Sequence, residues 1–366
     1  MTGIRAQSPE LATLARGFAP LRVLVVGLGQ MGRSHALAYH RLHPYEIVGL
    51  VNRSPVELPP ELDDYPRPAS FEEGLALRPD VVSINTYTDS HAALAIAALE
   101  AGAHVFVEKP LALTLEDARA VVDAARRTGR KLVVGYILRH HPAWVALIAA
   151  ARTLGPPYVM RMNLNQTSSG ASWEIHKRLL QTTSPVVDCG IHYVDVMCQI
   201  AGCRPVQVRG MGARLAGDIA PGQVNYAHLQ VLFEDGSVGW YEAGWGPMMS
   251  PVARFVKDVV GARGSASLLV NGEKDSSDLE AHTEARRLRV NRLAIDAAGH
   301  ATATETVTAI DAALDHQTLC EREQAFLARA IAEDLDLSTH HDDALRSLAI
   351  VLAADLGMHE RRAVDL

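Results

Sequence analysis

A glycine-spaced turn, Gly27-Leu28-Gly29-Gln30-Met31-Gly32, lies between a compact apolar run, Arg22-Val23-Leu24-Val25-Val26, and a helical stretch over residues 32–43. Gly27 permits a tight turn, Gly29 lets a pyrophosphate approach the backbone, and Gly32 allows helix and strand to pack closely. The helix start around Gln30 and Met31 then offers amide donors and the positive end of a dipole. The turn follows a strand, opens a helix and begins a β/α alternation, the context in which this spacing predicts dinucleotide binding. The competing reading is a glycine turn that only packs.

The alternation continues along the chain. Residues 46–51, 80–85, 104–107 and 131–135 read as strands, separated by Ala-rich helices over 91–101 and 115–127 that stop at Gly102 and Gly129. Near-continuous apolar strands joined by helices predict a doubly wound parallel sheet covered on both faces. After about residue 156 apolar and polar residues alternate, over 158–165, 206–209, 224–233 and 238–245, with turns at 234–237 and 261–264. This predicts an antiparallel sheet, interrupted by one long helix from Ser184-Pro185 to Gly202. Two helices, over 317–333 and 342–357, close the chain, and 272–278 reads as loop.

At 366 residues, 48% hydrophobic and 21% charged, the chain is long enough for about two cores and too apolar for wholesale disorder. A net charge of −7 gives no general attraction to nucleic acid or anionic membrane. Cys189, Cys198, Cys203 and Cys320 lack the spacing of a disulfide scaffold or a zinc site, which points to a reducing compartment. Residues 10–15 are too short and polar for a signal-peptide core, and no run of eighteen apolar residues occurs, so a cytoplasmic protein is expected.

Cofactor choice is read at the end of the second strand, where an acid would bind the ribose hydroxyls. The chain has Asn52-Arg53-Ser54 there, and Arg53 suits a 2′-phosphate, so NADP is favoured over NAD. Glu108-Lys109-Pro110 follows the fourth strand, at the ligand-binding carboxyl edge of such a sheet. Only five lysines exist in the chain, so one at this edge stands out. In the second half Asp188 and His192, four apart, share a helix face, with Asp195 a turn further. Lysine, carboxylate and imidazole together suit alcohol oxidation. His192 takes the hydroxyl proton, Lys109 stabilises the alkoxide, and Asp188 orients the hydroxyl or the lysine. Taken singly, His192 reads as a packed histidine and Asp188 as a residue complementing a helix dipole.

From about residue 21 to 366 the chain resembles the Gfo/Idh/MocA oxidoreductase family. The resemblance rests on the glycine turn, on Glu108-Lys109-Pro110, and on Asp188-Cys189-Gly190-Ile191-His192-Tyr193-Val194-Asp195. It implies Lys109, Asp188 and His192 as the catalytic group and a cis peptide before Pro110. It also implies an open-faced sheet that makes homodimers or homotetramers. The implied fold class is α/β: an N-terminal Rossmann doubly wound parallel sheet plus a C-terminal α+β domain with an open-faced, mostly antiparallel sheet. The corresponding divisions are an arm (1–20), a dinucleotide-binding domain (21–140), a substrate-binding and oligomerisation domain (141–315) and C-terminal helices packing back on the body (316–366). Asn85, Thr86 and His91 are expected to border the cofactor, although Tyr87 stands where many relatives have proline.

On the substrate side, the stretch 165–183 reads as a pocket loop carrying Trp173, His176, Lys177 and Arg178. Trp173 suits stacking on a sugar ring, and the cations suit an anionic substituent. Arg139 and Tyr241 are further candidates. Paired histidines at 140–141 and 340–341 point apart and lack carboxylate partners at ligand spacing, so no metal is expected. The leading functional expectation is an NAD(P)-dependent oxidoreductase for a secondary alcohol of a sugar, inositol or related polyol. The alternatives are an NAD-dependent glycoside hydrolase working through transient oxidation and elimination, and a non-catalytic dinucleotide sensor.

Overall fold

Residues 19–278, 285–296, 298–310 and 314–366 are described by the structure, a computed structural model, and form two units. The expected arm over 1–20 lies almost wholly outside the described residues. In the first unit (residues 19–135 with Asp315–Asp342) five short strands, β1 (Leu21–Val26), β2 (Tyr45–Val51), β3 (Val81–Ile84), β4 (His104–Val107) and β5 (Leu132–Val134), pair in the order β2-β1-β3-β4-β5. Every pairing is parallel. Val23, Leu24, Val25, Val81, Val82 and Ile84 are fully buried, which is why these strands carry no polar alternation. Helix α1 (Gln30–Arg41) follows the glycine turn, and the short α2 (Phe71–Ala76) is capped by Ser70. On the β3–β4 side α3 (His91–Glu100) packs against α4 (Leu115–Thr128), which starts at the Thr114 cap and ends at left-handed Gly129.

The strand order reverses between β1 and β3, since the chain runs outward from β1 to β2 and then returns to the other side. At such a switch point the strand ends leave a crevice, and here that crevice lies beside Gly27 and Asn85. One core cluster joins Val23, Val25, Tyr39 and Tyr45 to Leu327, Ala328 and Leu337 from the distant C-terminal stretch.

In the second unit (Tyr136–Leu314 with Asp343–Leu366) nine strands form one sheet. They are β6 (Val159–Thr167), β7 (Pro205–Ala213), β8 (Tyr226–Phe233), β9 (Val238–Gly246), β10 (Lys257–Gly261), β11 (Gly264–Leu269), β12 (Arg287–Ile295), β13 (Ala301–Ala309) and β14 (Val364–Asp365), in the order β13-β12-β11-β10-β6-β9-β8-β7-β14. The sheet is mostly antiparallel, as expected, and the parallel pair is β6 with β9, which the local alternation of the sequence did not single out. The chain leaves β6 through helices before the β7-β8-β9 meander, so β9 returns in the direction of β6.

Two local expectations are corrected. The stretch 165–183 is not a loop: β6 runs to Thr167, and α6 (Gly170–Leu179) begins where Ser172 Oγ accepts the Ser169 N–H at 3.2 Å. The helix from Ser184 to Gly202 is two helices, α7 (Pro185–Asp188) and α8 (Gly190–Ala201), although Ser184 caps the first and left-handed Gly202 ends the second as expected. Helix α5 (Pro142–Arg152) packs on α8, and α8 lies on β9 and β6. The closing helices are α9 (His316–Ala332), which packs on α1, and α10 (Ser338–Glu360). Among the described residues no helix is long and apolar enough to cross a membrane.

Candidate active site

In the first unit three glycines meet three different demands. Gly27 has φ +83°, and a Cβ on it would lie 2.7 Å from the Asn85 backbone. A Cβ on Gly32 would lie 1.8 Å from the Gly27 carbonyl oxygen, so α1 can approach the turn only because Gly32 has no side chain. Gly29 is exposed, and a Cβ there would meet nothing within 4 Å. Helix α1 starts at Gly29 with no side-chain cap and no acid in its first turn. The Gln30 and Met31 end of α1 thus combines an uncovered surface with the positive end of the helix dipole, a cradle that fits a dinucleotide pyrophosphate.

Around this cradle the strand ends are braced. Asn52 Oδ1 accepts the Leu28 N–H at 2.9 Å and its Nδ2 donates to the Ser54 carbonyl at 2.7 Å, tying the end of β2 to the glycine turn. Arg53 and Ser54 are exposed, with no acid among residues 52–54. Asn85 is 8% exposed, and its Nδ2 donates to Ser83. The His91 ring nitrogens face the Pro110 carbonyl at 2.7 Å and the Thr86 carbonyl at 3.0 Å, linking the segments after β4 and β3. Burial pushes the His91 imidazole down, while those two carbonyls pull it up. Tyr87 is exposed.

The Lys109-Pro110 peptide is cis, as the resemblance implied. Lys109 is half-buried, and its backbone N–H donates to Glu108 Oε2 at 3.1 Å. The other Glu108 oxygen lies 2.8 Å from His35 Nε2 on α1. Gln324 on α9 completes this buried group, and neither His35 nor Gln324 stands out in the sequence. His35, Cys320 and Glu323 also bring ligand-type atoms within 4.8 Å of one another. Both His35 nitrogens are already engaged, so the set does not read as a metal site.

In the second unit Asp188 ends α7 and His192 lies in the first turn of α8; both are half-buried. The His192 ring stands edge-on to Tyr136 at 6.2 Å between centroids, and Cys189 Sγ lies 3.6 Å from Asp188 Oδ2. A Cβ on Gly190 would lie 2.8 Å from the Tyr241 ring, so this glycine lets α8 settle on β9. Tyr241 is fully buried and stacked on Tyr193 at 4.9 Å.

The remaining substrate-side candidates are engaged within this unit. Arg139 donates through Nε to Asp195 at 2.8 Å and through its other nitrogen to Asp195 and Asp343. Asp195 is fully buried. Burial pushes its carboxyl up, and the guanidinium opposes this. Trp173 packs with Leu180, Ala216, Ile219 and Trp245, and its Nε1 donates to Asp218. His176 stacks on Trp245 at 4.6 Å, and burial lowers its imidazole to about 4. Lys177 pairs with Glu174 and Asp218 beside a cavity of about 370 Å³ that Arg178 also lines.

Residues 21–136 match the model of an oxidoreductase family with an NAD-binding Rossmann fold, and residues 145–267 match the GFO/IDH/MocA C-terminal domain. The UDP-N-acetylglucosamine 3-dehydrogenase of Acidithiobacillus ferrooxidans is 30% identical over 202 residues, 55% of this chain and 60% of that protein. The chain therefore spans about three-fifths of the length of that relative. Myo-inositol dehydrogenase Hyg17 of Streptomyces leeuwenhoekii is 30% identical over 279 residues, 74% of this chain and 82% of that protein. The structure of scyllo-inositol dehydrogenase from Lactobacillus casei, with NAD(H) and scyllo-inositol bound, superposes with TM-score 0.75 at 17% identity. It covers 95% of this chain and 99% of that one, a likeness of fold.

Proposed function

This chain belongs to the Gfo/Idh/MocA oxidoreductase family, and from that membership we propose that it oxidises or reduces a secondary alcohol carbon of a sugar, inositol or related polyol with a nicotinamide dinucleotide. The observation that carries the reading lies in the first unit. The uncovered start of α1 sits at the β1/β3 switch point, and Lys109 follows β4 on the same carboxyl edge of the sheet. When bound, the nicotinamide supplies the two-electron acceptor or donor. In the oxidative direction His192 accepts the substrate hydroxyl proton on a ring nitrogen, and the Lys109 ammonium donates a hydrogen bond to the oxygen that becomes negative. Asp188, four residues before His192, orients the hydroxyl or the lysine. The names of the relatives, dehydrogenases of a nucleotide sugar and of an inositol, support a polyhydroxylated substrate.

Lys109→Ala and His192→Ala are each expected to lower turnover with polyols by at least about 100-fold while nicotinamide binding persists. Steady-state kinetics and fluorescence titration with the reduced cofactor check this; a wild-type rate in either variant removes the role assignment. Aglycone release from an aryl glycoside with no net cofactor reduction would replace the reading with the hydrolase one. The finer choice is NADP, supported by exposed Arg53 and the absence of an acid at 52–54. Arg53→Ala is expected to weaken NADP about 10- to 100-fold, as loss of a charged phosphate contact does, and to leave NAD nearly unchanged. Equal losses for both cofactors contradict it.

We also propose a homo-oligomer through the outer face of the nine-stranded sheet. Val260, Val159, Val238 and Leu232 are successive cross-strand neighbours on β10, β6, β9 and β8, and each is 39–45% exposed. A contiguous apolar row of this kind is what an interface between copies requires.

A further inference from the structure

A buried carboxylate holds Lys109 by its backbone, and two helices distant in sequence supply what holds the carboxylate. Tyr39 Oη donates to Gln324 Oε1 at 2.6 Å, which turns the amide Nε2 toward His35 Nδ1 at 2.9 Å. An amide nitrogen only donates, so Nδ1 is the acceptor and the imidazole proton sits on Nε2. That proton points at Glu108 Oε1, 2.8 Å away, and leaves Oε2 to accept the Lys109 N–H at 3.1 Å. The direction of every bond in the chain follows from the one before it.

The surroundings leave this carboxylate little freedom. His35 and Gln324 are fully buried and Glu108 is 6% exposed. The His35 ring leans on Phe106 at 4.6 Å, and a Cβ on Gly135 would touch the Glu108 carboxyl at 3.4 Å. Tyr45 Oη donates to the Gln324 carbonyl at 2.7 Å, which fixes α9 at this point. The second buried acid, Glu323, is pushed up by burial and by the charge of Glu108. We infer that His35 and Gln324 are positioning residues for Lys109, acting through Glu108 to hold the lysine peptide in place; the kinetic part of this inference rests on the function proposed above. With His35 removed, Glu108 must find another donor or accept a proton, and the Lys109 amide loses its fixed acceptor.

The test compares His35→Leu and His35→Gln with the wild-type chain by three readouts: hydrogen exchange at the Lys109 amide, affinity for the reduced cofactor, and kcat with a polyol. His35→Leu is expected to speed exchange at Lys109 about tenfold or more and to lower kcat about 10- to 100-fold, with cofactor affinity within about twofold. His35→Gln, whose amide can donate to Glu108, is expected to recover much of both. Unchanged exchange and kcat in His35→Leu overturn the inference, as does loss of protection throughout the first unit with no recovery by His35→Gln. If His35→Leu does not fold, Gln324→Leu carries the same expectation at smaller amplitude, and wild-type values there overturn it. Nitrogen NMR is expected to show His35 as the Nε2–H tautomer; the Nδ1–H form overturns the chain of bonds. A wild-type chain that turns over no polyol defeats the functional reading, while exchange at Lys109 still decides whether the network holds the peptide.

Discussion

At the residue scale, the Arg139 guanidinium is shared between two carboxylates, Asp195 and Asp343. Arg139 is a substrate-side candidate in the sequence and Asp195 a motif position; the structure pairs the half-buried Arg139 with the fully buried Asp195, with Asp343 alongside. Arg139→Leu is therefore expected to cost about 3–5 kcal/mol of stability, because Asp195 would be left buried without its cation. Urea unfolding measures this, and an unchanged midpoint accompanied by a raised substrate KM would return Arg139 to the substrate side. Trp173 is similar. A tryptophan near a proposed pocket invites sugar stacking, yet its ring packs in the apolar cluster with Trp245. The glycine turn, the lack of an acid at 52–54 and Lys109 were legible because their meaning is local: a φ near +83°, a missing Cβ, or a charge at a strand end. His35 was not legible, because its partners Glu108 and Gln324 lie 73 and 289 residues away.

At the element scale, the strands and longer helices of the first unit were placed to within a residue or two, since buried strands and capped helices advertise themselves by composition and end residues, whereas the short α2 (Phe71–Ala76) was not anticipated. The break between α7 and α8 was missed. Ser184, Pro185 and Gly202 mark the outer ends, but nothing in the intervening sequence announces an interruption at Cys189. Gly190 shows what decides this region. By helix propensity alone, Gly190→Ala would stabilise α8 by up to about 1 kcal/mol. The added Cβ would instead meet the Tyr241 ring at 2.8 Å, and that ring is fully buried and stacked, so it has nowhere to move. Packing therefore outweighs propensity, and the variant is expected to lose about 1–3 kcal/mol, read as a lower Tm. A raised Tm would mean that α8 and β9 have room to adjust.

At the scale of the whole molecule, the nine-stranded sheet presents the Val260-Val159-Val238-Leu232 row, which only strand order and register bring together. Val238→Lys with Leu232→Lys is expected to shift the chain to a monomer in analytical ultracentrifugation while each unit stays folded; an unchanged oligomer would move the interface elsewhere. The parallel pairing of β6 with β9 belongs to the same scale, because register between strands about eighty residues apart is invisible to local alternation. By itself the sequence determined the β/α alternation of the first unit, the glycine turn that opens it and the lysine after β4, all written in short-range periodicity and in residues with special backbone freedom. Tertiary structure alone decided which polar groups are spent on one another, because pairing and burial are set by residues tens to hundreds of positions apart. It thereby assigned Arg139 to Asp195 and set His35 and Gln324 behind Glu108 and Lys109.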